Sequence, residues 1–470
     1  MIITLVAYQI VLLGLGYWAR RRSQSSEGYF IGGRALGPWV TALSYAAGSS
    51  SAWSILGVSG IAFSQGLSAL WLLPGTLTGH VIVWFWIAPH LQRLSHQHRW
   101  ITLTDMLASG LPTAVARLTY RISAVVILFS FTFYIAAQFQ GAANTFTAVF
   151  DFSFAAALLL GAGVVLLYTL WGGFWAVSVT DALQAVLMLL AAIVLPWVAL
   201  QAVGGWQGLS DAANQAIVAS EIDYWSMLGG HGGWFAVGFL LGMLSIGFGP
   251  LGQPHLLNRL MAMRRAQDVR LARTVALTWF VLVLSGMFLL GVCGHLLVQS
   301  PVAAEQVFFV LAADLLPVAV TGILVAAVLS AIMSTADSQL LVAGAAIHND
   351  LRRHTGPADL SARVAVLAVA IAAVLLALYL PEAIFSRVLF AWNALGAAFG
   401  PVVVTRLLGW RFTGWSVPVS IGTGFGLTVV FYGLADGPGD VWERAVPFLV
   451  ALLVLTVGRE AAQSGKHKRA

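Results

Sequence analysis

The segment AAGSSSAW, residues 46–53, decides the fold of this chain, because it interrupts an apolar run that extends over about residues 38–63. Backbone N–H and C=O groups at membrane depth have no water to bind, so small and hydroxylated residues there are typical of a helix that lines a cavity or a site. A second segment, GFGPLGQP at residues 247–254, interrupts another apolar run in the same way. We therefore predict that two membrane helices are broken near their centres.

The two broken helices are five predicted spans apart, so they occupy corresponding positions in two halves of the chain. Such a pair is typical of inverted-repeat transporters, which bind their solute near the membrane midplane. The alternative is that these small residues only let neighbouring helices pack closely. We expect six segments: a peripheral first helix and cytoplasmic loop at 1–37, a first repeat at 38–203, an extracellular loop at 204–233, a second repeat at 234–408, two peripheral helices at 409–458 and a cytoplasmic tail at 459–470.

The composition of the whole chain also indicates a membrane protein. Of its 470 residues, 59% are hydrophobic and 9% are charged, whereas soluble domains are about 45–50% apolar and about 25% charged. The apolar runs are continuous, which favours helices over the alternating strands of a membrane β-barrel. They divide into about thirteen candidate spans, so the predicted fold class is an all-α polytopic membrane protein.

The distribution of charge predicts the orientation of the chain. The formal net charge is +6, but the basic residues are dispersed between apolar runs, which excludes a nucleic-acid-binding face. Basic clusters, such as Arg20 to Arg34 and Arg259 to Arg273, alternate with loops such as 204–233 that contain neither Lys nor Arg. By the positive-inside rule, we predict a multi-pass protein of the cell (inner) membrane with its N-terminus outside and its C-terminus in the cytoplasm. The single cysteine, Cys293, allows no disulfide framework and no zinc cluster.

A polar stripe lies in the apolar run near residues 316–345. Its members are spaced at i, i+3, i+4 and i+7 on one helical face: Ala331, Ser334, Thr335 and Ser338. Asp337 borders the stripe, and an ionisable residue within a span predicts a functional site. Its candidate partner is Asp181, for which a helix N-terminal cap is the alternative. Hydroxyl, carbonyl and carboxylate oxygens are ligands of hard cations, so this region predicts a cation site.

Six motifs, in the same order along most of the chain, resemble those of the sodium:solute symporter family. They are YFIGGRALGP at 29–38, the segment from Ser44 to Trp53, WGGFWAV at 171–177 with Thr180 and Asp181, GQPH at 252–255, MSTADSQLL at 333–341 and GAAFGP at 396–401. Within the family, the pattern is nearest to that of bacterial sodium/proline symporters. The resemblance implies a leucine-transporter-type fold of about thirteen helices with a 5+5 inverted-repeat core, and sodium-coupled uptake by alternating access.

The same resemblance implies the cation sites. The implied sodium ligands are backbone carbonyls and hydroxyls of Ala47, Ser50, Ala331, Ser334 and Thr335. A second site for a cation or a proton, which only some members of the family have, would use Asp181, Ser334, Asp337 and Ser338. Sodium is therefore the predicted coupling ion, and a proton is the alternative.

The solute side differs from bacterial proline symporters at three positions. This chain has Ser49 where those proteins have an acidic residue, and Ile246 and Pro250 where they have aromatic residues. The predicted solute-binding residues are Ser49, Ser51, Ser54, Leu73, Tyr134, Gln138, Ile246, Pro250 and Asn393. For Gln138 and Asn393, a hydrogen bond between helices is the alternative. Because the set contains neither an Arg for a free anion nor an acid for a cation, it favours a small neutral amino acid, with proline as the first candidate.

The leading functional hypothesis is a sodium-coupled secondary transporter that imports a small organic solute. The alternatives are a proton-coupled symporter, or a carboxylate- or vitamin-specific symporter, of the same fold, and a transporter-like sensor. An enzyme is not predicted, since the sequence has no H-E-x-x-H pair or comparable constellation. The predicted partners are the solute, the sodium ion and the lipid bilayer, and we expect neither nucleic acid nor an obligate protein partner.

Overall fold

Helices make up almost all of the structure, a computed structural model that describes residues 2–19, 26–150, 152–218, 223–298, 302–351, 360–380, 384–434 and 437–460. Within these residues, β-pairing is limited to two isolated bridges, Leu36 with Met263 and Phe412 with Arg459. Part of the topology prediction falls outside the described residues, namely Arg20 to Arg22 and residues 461–470 of the predicted tail. The fold is all-α, as predicted.

The first half of the chain supplies helices α1 to α10. They are α1 (Ile2–Ala19), α2 (Ser26–Ile31), α3 (Pro38–Ser49), α4 (Val58–Gln65), α5 (Leu72–Ile82), α6 (Ala88–His98), α7 (Leu103–Ala108), α8 (Thr113–Phe150), α9 (Phe154–Ala202) and α10 (Gly205–Val218). The local sequence determines where several of these helices begin. Pro38 takes the first turn of α3, where its missing N–H is not needed. The Ser153 hydroxyl accepts the N–H of Ala156 at the start of α9.

The second half supplies helices α11 to α20. They are α11 (Gly233–Ser245), α12 (Pro254–Met261), α13 (Val269–Leu297), α14 (Val307–Leu315), α15 (Val318–Ala345), α16 (Leu360–Tyr379), α17 (Ile384–Leu407), α18 (Ser416–Tyr432), α19 (Val441–Arg444) and α20 (Val446–Val457). α15 carries the predicted polar stripe, and most of it is buried.

The first predicted break lies between α3 and α4. Ser50, which follows α3, has non-helical backbone angles of φ −105° and ψ 74°. Helical geometry resumes at Ala52, and a π-helical turn over Trp53–Gly57 then leads into α4. Single π-helical turns occur frequently at functional sites. The interrupted backbone therefore lies within the predicted segment 46–53.

The second predicted break lies between α11 and α12. A 3₁₀ segment over Ile246–Gly252 follows α11, and Gln253 is extended, with φ −77° and ψ 108°. Pro254 then begins α12 at a position where a backbone N–H is not required. Glycines and prolines in this segment explain why a regular helix does not continue through it.

Helix α9 consists of two helical portions that meet at a kink. The structure has no loop between them, and the interruption is the single residue Gly173, with φ 62° and ψ −180°. This positive φ is favourable only for glycine, so one residue is enough to redirect the chain.

The two broken segments pack within the centre of the bundle. α3 packs against α9, α13 and α15, whereas the 3₁₀ segment 246–252 packs against α5 and α17. α9 also contacts α1 and α8. The elements that carry the predicted site residues are therefore neighbours.

The lengths and compositions of the helices are those of an integral membrane protein. Among the described residues, seven segments are long and apolar enough to span a membrane: Trp53–His98, Thr113–Thr147, Gly173–Ala202, Gly233–Gly252, Ala266–Leu297, Val318–Leu351 and Ile384–Leu407. Four shorter helical segments are also apolar: Ile3–Leu15, Phe154–Leu166, Val364–Tyr379 and Ser416–Tyr432. Large apolar side chains such as Ile3 and Trp234 are 85% and 88% exposed, which suits contact with lipid.

Candidate functional site

A cavity lies beside the break between α3 and α4, and the space between its lining atoms, open solvent included, is about 340 Å³. Its lining residues come from five helices and from both broken segments: Ser49, Ser50, Trp53, Ser54, Thr76, His80, Tyr134, Ile246, Phe280, Leu284, Val388, Leu389 and Trp392. This lining contains no Lys, Arg, Asp or Glu. A buried site without charged side chains favours a small solute that has no net charge.

The cavity brings together most of the predicted solute-binding residues. Four of them line it: Ser49, Ser54, Tyr134 and Ile246. Two more lie directly beside it. The Tyr134 hydroxyl donates to Ser51 Oγ over 3.4 Å, and Gln138 Oε1 accepts the N–H of Ala52 over 3.0 Å. Gln138 thus bonds to the backbone of the interrupted helix.

The other three predicted solute residues also do not line this cavity. Leu73 is half-buried on α5, and Pro250 lies within the 3₁₀ segment 246–252. The Asn393 amide donates to Glu443 Oε1 over 2.9 Å, so it connects α17 to α19. This contact is the helix–helix hydrogen bond that we considered as the alternative for Asn393.

Sequence analysis missed two polar residues on α5 that line the cavity. Thr76 and His80 are one helical turn apart, and both are buried. The His80 ring stacks on Phe280 with 3.9 Å between ring centroids, and its Nδ1 lies 3.1 Å from Tyr45 Oη. The signal was available, since two polar residues at i and i+4 within an apolar span indicate a polar face turned toward the bundle.

Several polar atoms around the cavity lack a hydrogen-bond partner among the described residues. They are Trp53 Nε1, Ser54 Oγ and Thr76 Oγ1, and all three are inaccessible to solvent. An unsatisfied buried polar group costs about 1–3 kcal/mol. A polar solute that bonds to these atoms would recover that free energy.

The predicted sodium ligands lie where α15 meets the end of α3. Ser334 Oγ is 3.2 Å from the carbonyl oxygens of both Ala47 and Ala331, and Thr335 Oγ1 is 3.3 Å from the carbonyl oxygen of Gly48. Both hydroxyl-bearing residues are fully buried. Ser50, the remaining predicted ligand, donates its N–H to the carbonyl of Ala47 over 3.1 Å. The region is thus a buried cluster of neutral oxygens, which suits a hard cation.

The predicted pair of carboxylates is connected through an arginine. Asp181 Oδ2 lies 2.7 Å from Nη2 of Arg259, in an ion pair whose side chains are both at most 1% exposed. Ser44 Oγ donates to the same carboxylate oxygen over 2.7 Å, and Arg259 Nε donates to Ser44 Oγ over 2.6 Å. Arg259 Nη2 also lies 2.5 Å from Ser338 Oγ, which lies 2.7 Å from the carbonyl oxygen of Ser334 and 3.1 Å from Asp337 Oδ1. Asp181 lies inside α9, well after the kink at Gly173, so it does not cap a helix.

Arg259 corrects one part of the sequence interpretation. We counted it among the cytoplasmic basic residues that follow the second broken helix, but its side chain is buried between α3, α9 and α15. Burying a guanidinium requires a charged partner, and Asp181 supplies it. Gly48 allows the close approach, since a Cβ at that position would lie 3.2 Å from Arg259 Cζ. The partner that we assigned to Asp181 was Asp337, which Arg259 reaches only through Ser338.

Comparison with known proteins agrees with this geometry. The sequence matches the sodium:solute symporter family over residues 29–414. It is 36% identical to the sodium/proline symporter of Escherichia coli (strain K12) over 429 residues, which cover 88% of this chain and 84% of that protein. It is 34% identical to the high-affinity proline transporter PutP of Bacillus subtilis (strain 168), with 94% of both chains covered.

Solved structures share the fold at low sequence identity. A Na⁺-coupled sialic acid symporter in a substrate-bound, outward-open state superposes with a TM-score of 0.80, at 13% identity and with 98% of both chains covered. Mhp1, a nucleobase-cation-symport-1 family transporter in a closed conformation, superposes with a TM-score of 0.57, at 13% identity and with 93% of this chain and 95% of that chain covered.

The family assignment confirms the predicted class of function. The protein is a membrane transporter that couples solute import to sodium, and it is not an enzyme. Broken helices that meet in the centre of the bundle are typical of such transporters. On the family match over residues 29–414 and on its relatives at 34–36% identity, this chain belongs to the sodium:solute symporter family.

Proposed function

We propose that this protein imports a small neutral amino acid together with sodium, with proline as the first candidate. The observation that carries the proposal is the cavity beside the break between α3 and α4, whose lining combines neutral hydrogen-bonding groups with aromatic and aliphatic side chains. A zwitterion has no net charge, and its apolar part suits a lining that includes Ile246, Leu284 and Trp392. The proline transporters at 36% and 34% identity support the same class of solute.

We place the coupling sodium between α3 and α15. The proposed ligands are oxygens of Ala47, Ser50, Ala331, Ser334 and Thr335. The buried hydroxyls, 3.2–3.3 Å from carbonyl oxygens, support this position. Ser50 also lines the solute cavity, so a cation held there would order the interrupted backbone that the solute contacts. Sodium and solute would then each raise the affinity for the other.

We retain Asp181, Ser334, Asp337 and Ser338 as a proposed second site for a cation or a proton. Its support is the chain of contacts from Asp181 through Arg259 and Ser338 to Asp337. In this arrangement the guanidinium of Arg259 is the counter-charge of Asp181. A second cation would therefore compete with Arg259 for the carboxylate.

We also propose the topology. Thirteen crossings would place the N-terminus outside and the C-terminus in the cytoplasm of the cell (inner) membrane, with inverted repeats at 38–203 and 234–408. The corresponding breaks after α3 and after α11 support the repeats. The absence of Lys and Arg from the described residues between α9 and α11 supports an external position for that segment.

The test is a thermal-unfolding screen of the purified protein against amino acids, sugars and dicarboxylates, with sodium or with choline as the cation. Ligands that bind only the folded state raise the unfolding temperature by mass action. We expect proline or another neutral amino acid to stabilise the protein more in sodium than in choline. Stabilisation by a sugar or a dicarboxylate, without any by neutral amino acids, would overturn the proposed solute.

Uptake into proteoliposomes tests the coupling ion. We expect an inward sodium gradient to drive accumulation of radiolabelled proline at equal pH on both sides. A proton-coupled symporter would instead accumulate it under an inward proton gradient in choline. The two gradients, imposed separately, distinguish these hypotheses.

A further inference from the structure

His80 is an ionisable side chain within the bundle that the proposed sodium and carboxylate sites do not use. It lines the cavity beside the break between α3 and α4 and is 1% exposed. One face of its ring stacks on Phe280, and Nδ1 lies 3.1 Å from Tyr45 Oη. These two contacts fix the orientation of the imidazole, so Nε2 is the ring nitrogen that remains for a ligand.

The contact with Tyr45 indicates which ring nitrogen carries the hydrogen. Tyr45 is fully buried, and His80 Nδ1 is the one hydrogen-bond partner of its hydroxyl within the described residues. If Nδ1–H donated to the phenol oxygen, the phenol hydrogen would be buried without an acceptor, which is unfavourable. The phenol therefore donates to Nδ1, and the neutral imidazole presents an N–H at Nε2.

Thr76 presents a second donor beside His80. It lies one turn earlier on the same face of α5, also lines the cavity and is 3% exposed. Its hydroxyl has no hydrogen-bond partner in the part of the chain that the structure describes. Thr76 O–H and His80 Nε2–H thus form a pair of neutral donors on one wall of the cavity.

The backbone of the interrupted helix offers a solute fewer donors than its sequence suggests. Ala52 N–H donates to Gln138 Oε1 over 3.0 Å, and Trp53 N–H donates to Ser51 Oγ over 3.2 Å. Ser50 N–H donates to the carbonyls of Ala46 and Ala47. The donors that remain for a carboxylate in the cavity, which has no Lys or Arg in its lining, are therefore mainly neutral side-chain groups.

We propose that Thr76 and His80 bind the carboxylate of the solute, and that Tyr45 is the positioning residue that keeps the Nε2–H donor available. This inference rests on the proposed amino acid function and deepens it by assigning the carboxylate to the α5 wall. The ring faces of Tyr134 and Trp392, which line the same cavity, then serve the ammonium end of the zwitterion.

The test compares L-proline with L-prolinamide, which keeps the ring and the amine but replaces the carboxylate by a neutral carboxamide. Apparent dissociation constants come from the dependence of the unfolding temperature on ligand concentration in sodium. Hydrogen bonds to a charged group are strong, so we expect Thr76→Val and His80→Phe each to weaken proline binding by about tenfold or more. Binding of prolinamide should change by less than about threefold, because a neutral carboxamide gains less from each donor.

Two further variants separate donation from packing. We expect His80→Gln, which retains an N–H donor, to recover part of the proline affinity that His80→Phe loses. Tyr45 contributes no atom to the cavity lining, so Tyr45→Phe removes only the phenol donor. We expect this variant to lower the preference for proline over prolinamide by about threefold. The matched control is Thr78→Val on the same helix, since the exposed Thr78 hydroxyl donates to its own backbone at Pro74.

The outcomes distinguish this inference from the proposed function. Equal losses of proline and prolinamide affinity in both Thr76→Val and His80→Phe would overturn the carboxylate assignment while leaving amino acid transport intact. If His80→Phe does not fold, Thr76→Val and Tyr45→Phe decide the question by the same ratio. Wild-type protein that is not stabilised by any neutral amino acid in sodium would overturn the proposed function, and this inference with it.

Discussion

The most specific test of the proposed sodium site is the substitution of two of its residues. The hydroxyls of Ser334 and Thr335 lie 3.2–3.3 Å from carbonyl oxygens at the end of α3. Replacing both by Ala removes two oxygen ligands, so we expect the sodium concentration for half-maximal uptake to rise by about tenfold or more. Uptake of radiolabelled proline against external sodium measures it. Ser330→Ala, one turn earlier on α15, is the control. Wild-type sodium activation in the double variant would contradict the site.

The buried ion pair of Asp181 and Arg259 makes a prediction about stability. Removing one member leaves the other charge buried without its partner, so Asp181→Asn and Arg259→Gln should each destabilise the protein by about 3–5 kcal/mol. In the double variant no charge is left uncompensated, and we expect it to recover at least half of the summed loss. Unfolding temperatures of the purified variants measure both effects.

The exposed ion pair of Arg264 and Asp268, 3.0 Å apart on the cytoplasmic side of the predicted topology, provides the control. Arg264→Gln should change stability by about 1 kcal/mol or less, because water screens this pair. Simple additivity of Asp181→Asn and Arg259→Gln would show that the two side chains do not interact.

The environment of the Glu305 carboxyl leads us to expect that the stability of the folded protein depends on pH. It lies outside the apolar membrane segments and accepts the N–H of Phe385 over 3.2 Å at the start of α17. Burial raises the pKa of this carboxyl, although the backbone N–H groups of Phe385 and Ile384 act in the opposite direction. The folded protein therefore holds this proton more tightly than the unfolded chain does. Its contribution to stability is present below the ordinary pKa and is lost as pH rises through the raised pKa.

Glu305→Gln removes this titration. We expect the unfolding temperature of the wild type, relative to that of the variant, to decrease between about pH 4 and pH 8. A difference between Glu305→Gln and wild type that does not vary with pH would contradict the assignment.

Among the helices, α5 touches the second broken segment through its backbone. A Cβ at Gly79 would lie 2.1 Å from the carbonyl oxygen of Gly247, and a Cβ at Gly75 would lie 2.1 Å from that of Met243. These contacts hold the face of α5 that carries Thr76 and His80 against the cavity. Gly79→Ala must push α5 away from residues 246–252, so we expect both a lower unfolding temperature and weaker proline binding.

Gly163 in α9 is the matched control for this element, since a Cβ there would meet no atom within 4 Å. Gly163→Ala should be neutral or slightly stabilising, because alanine favours the helix by about 1 kcal/mol. Thermal unfolding with and without proline separates the two effects. If Gly79→Ala behaves as Gly163→Ala does, the close contact between α5 and the broken segment is wrong.

For the whole molecule, the proposed orientation can be tested by labelling. The single cysteine, Cys293, is buried and can be replaced by Ala to leave a cysteine-free background. Trp206, on α10, and Gln267, before α13, are both exposed. In intact cells, we expect a membrane-impermeant maleimide to label Trp206→Cys and to label Gln267→Cys only after permeabilisation. The reverse pattern would invert the proposed topology.

Some properties of the site could be predicted from local sequence because they depend on backbone chemistry and helical spacing. The hydroxyls of Ser334 and Thr335 share a stripe in any α-helix, and the interruption at Ser50 follows from small residues within an apolar run. Other roles depended on contacts between distant elements. Arg259 lies 78 residues from Asp181, and the basic cluster that follows it suggested a surface position. Asn393 has the polarity of a solute ligand, but it is turned toward Glu443.

An all-helical membrane protein with two broken helices and an oxygen-rich stripe could be predicted from the order of residues alone. These features depend on hydropathy, on the helical period of 3.6 residues and on the need to satisfy backbone hydrogen bonds in lipid. Each of these acts within a single segment, so it can be recognised without knowing which helices that segment packs against. The contacts of the folded chain were needed to show that Arg259 neutralises Asp181 and that Tyr45 and Phe280 orient His80 at the cavity. The physical reason is that the rotation of each helix about its axis is set by packing against helices far away in sequence, and this rotation selects which polar side chains meet.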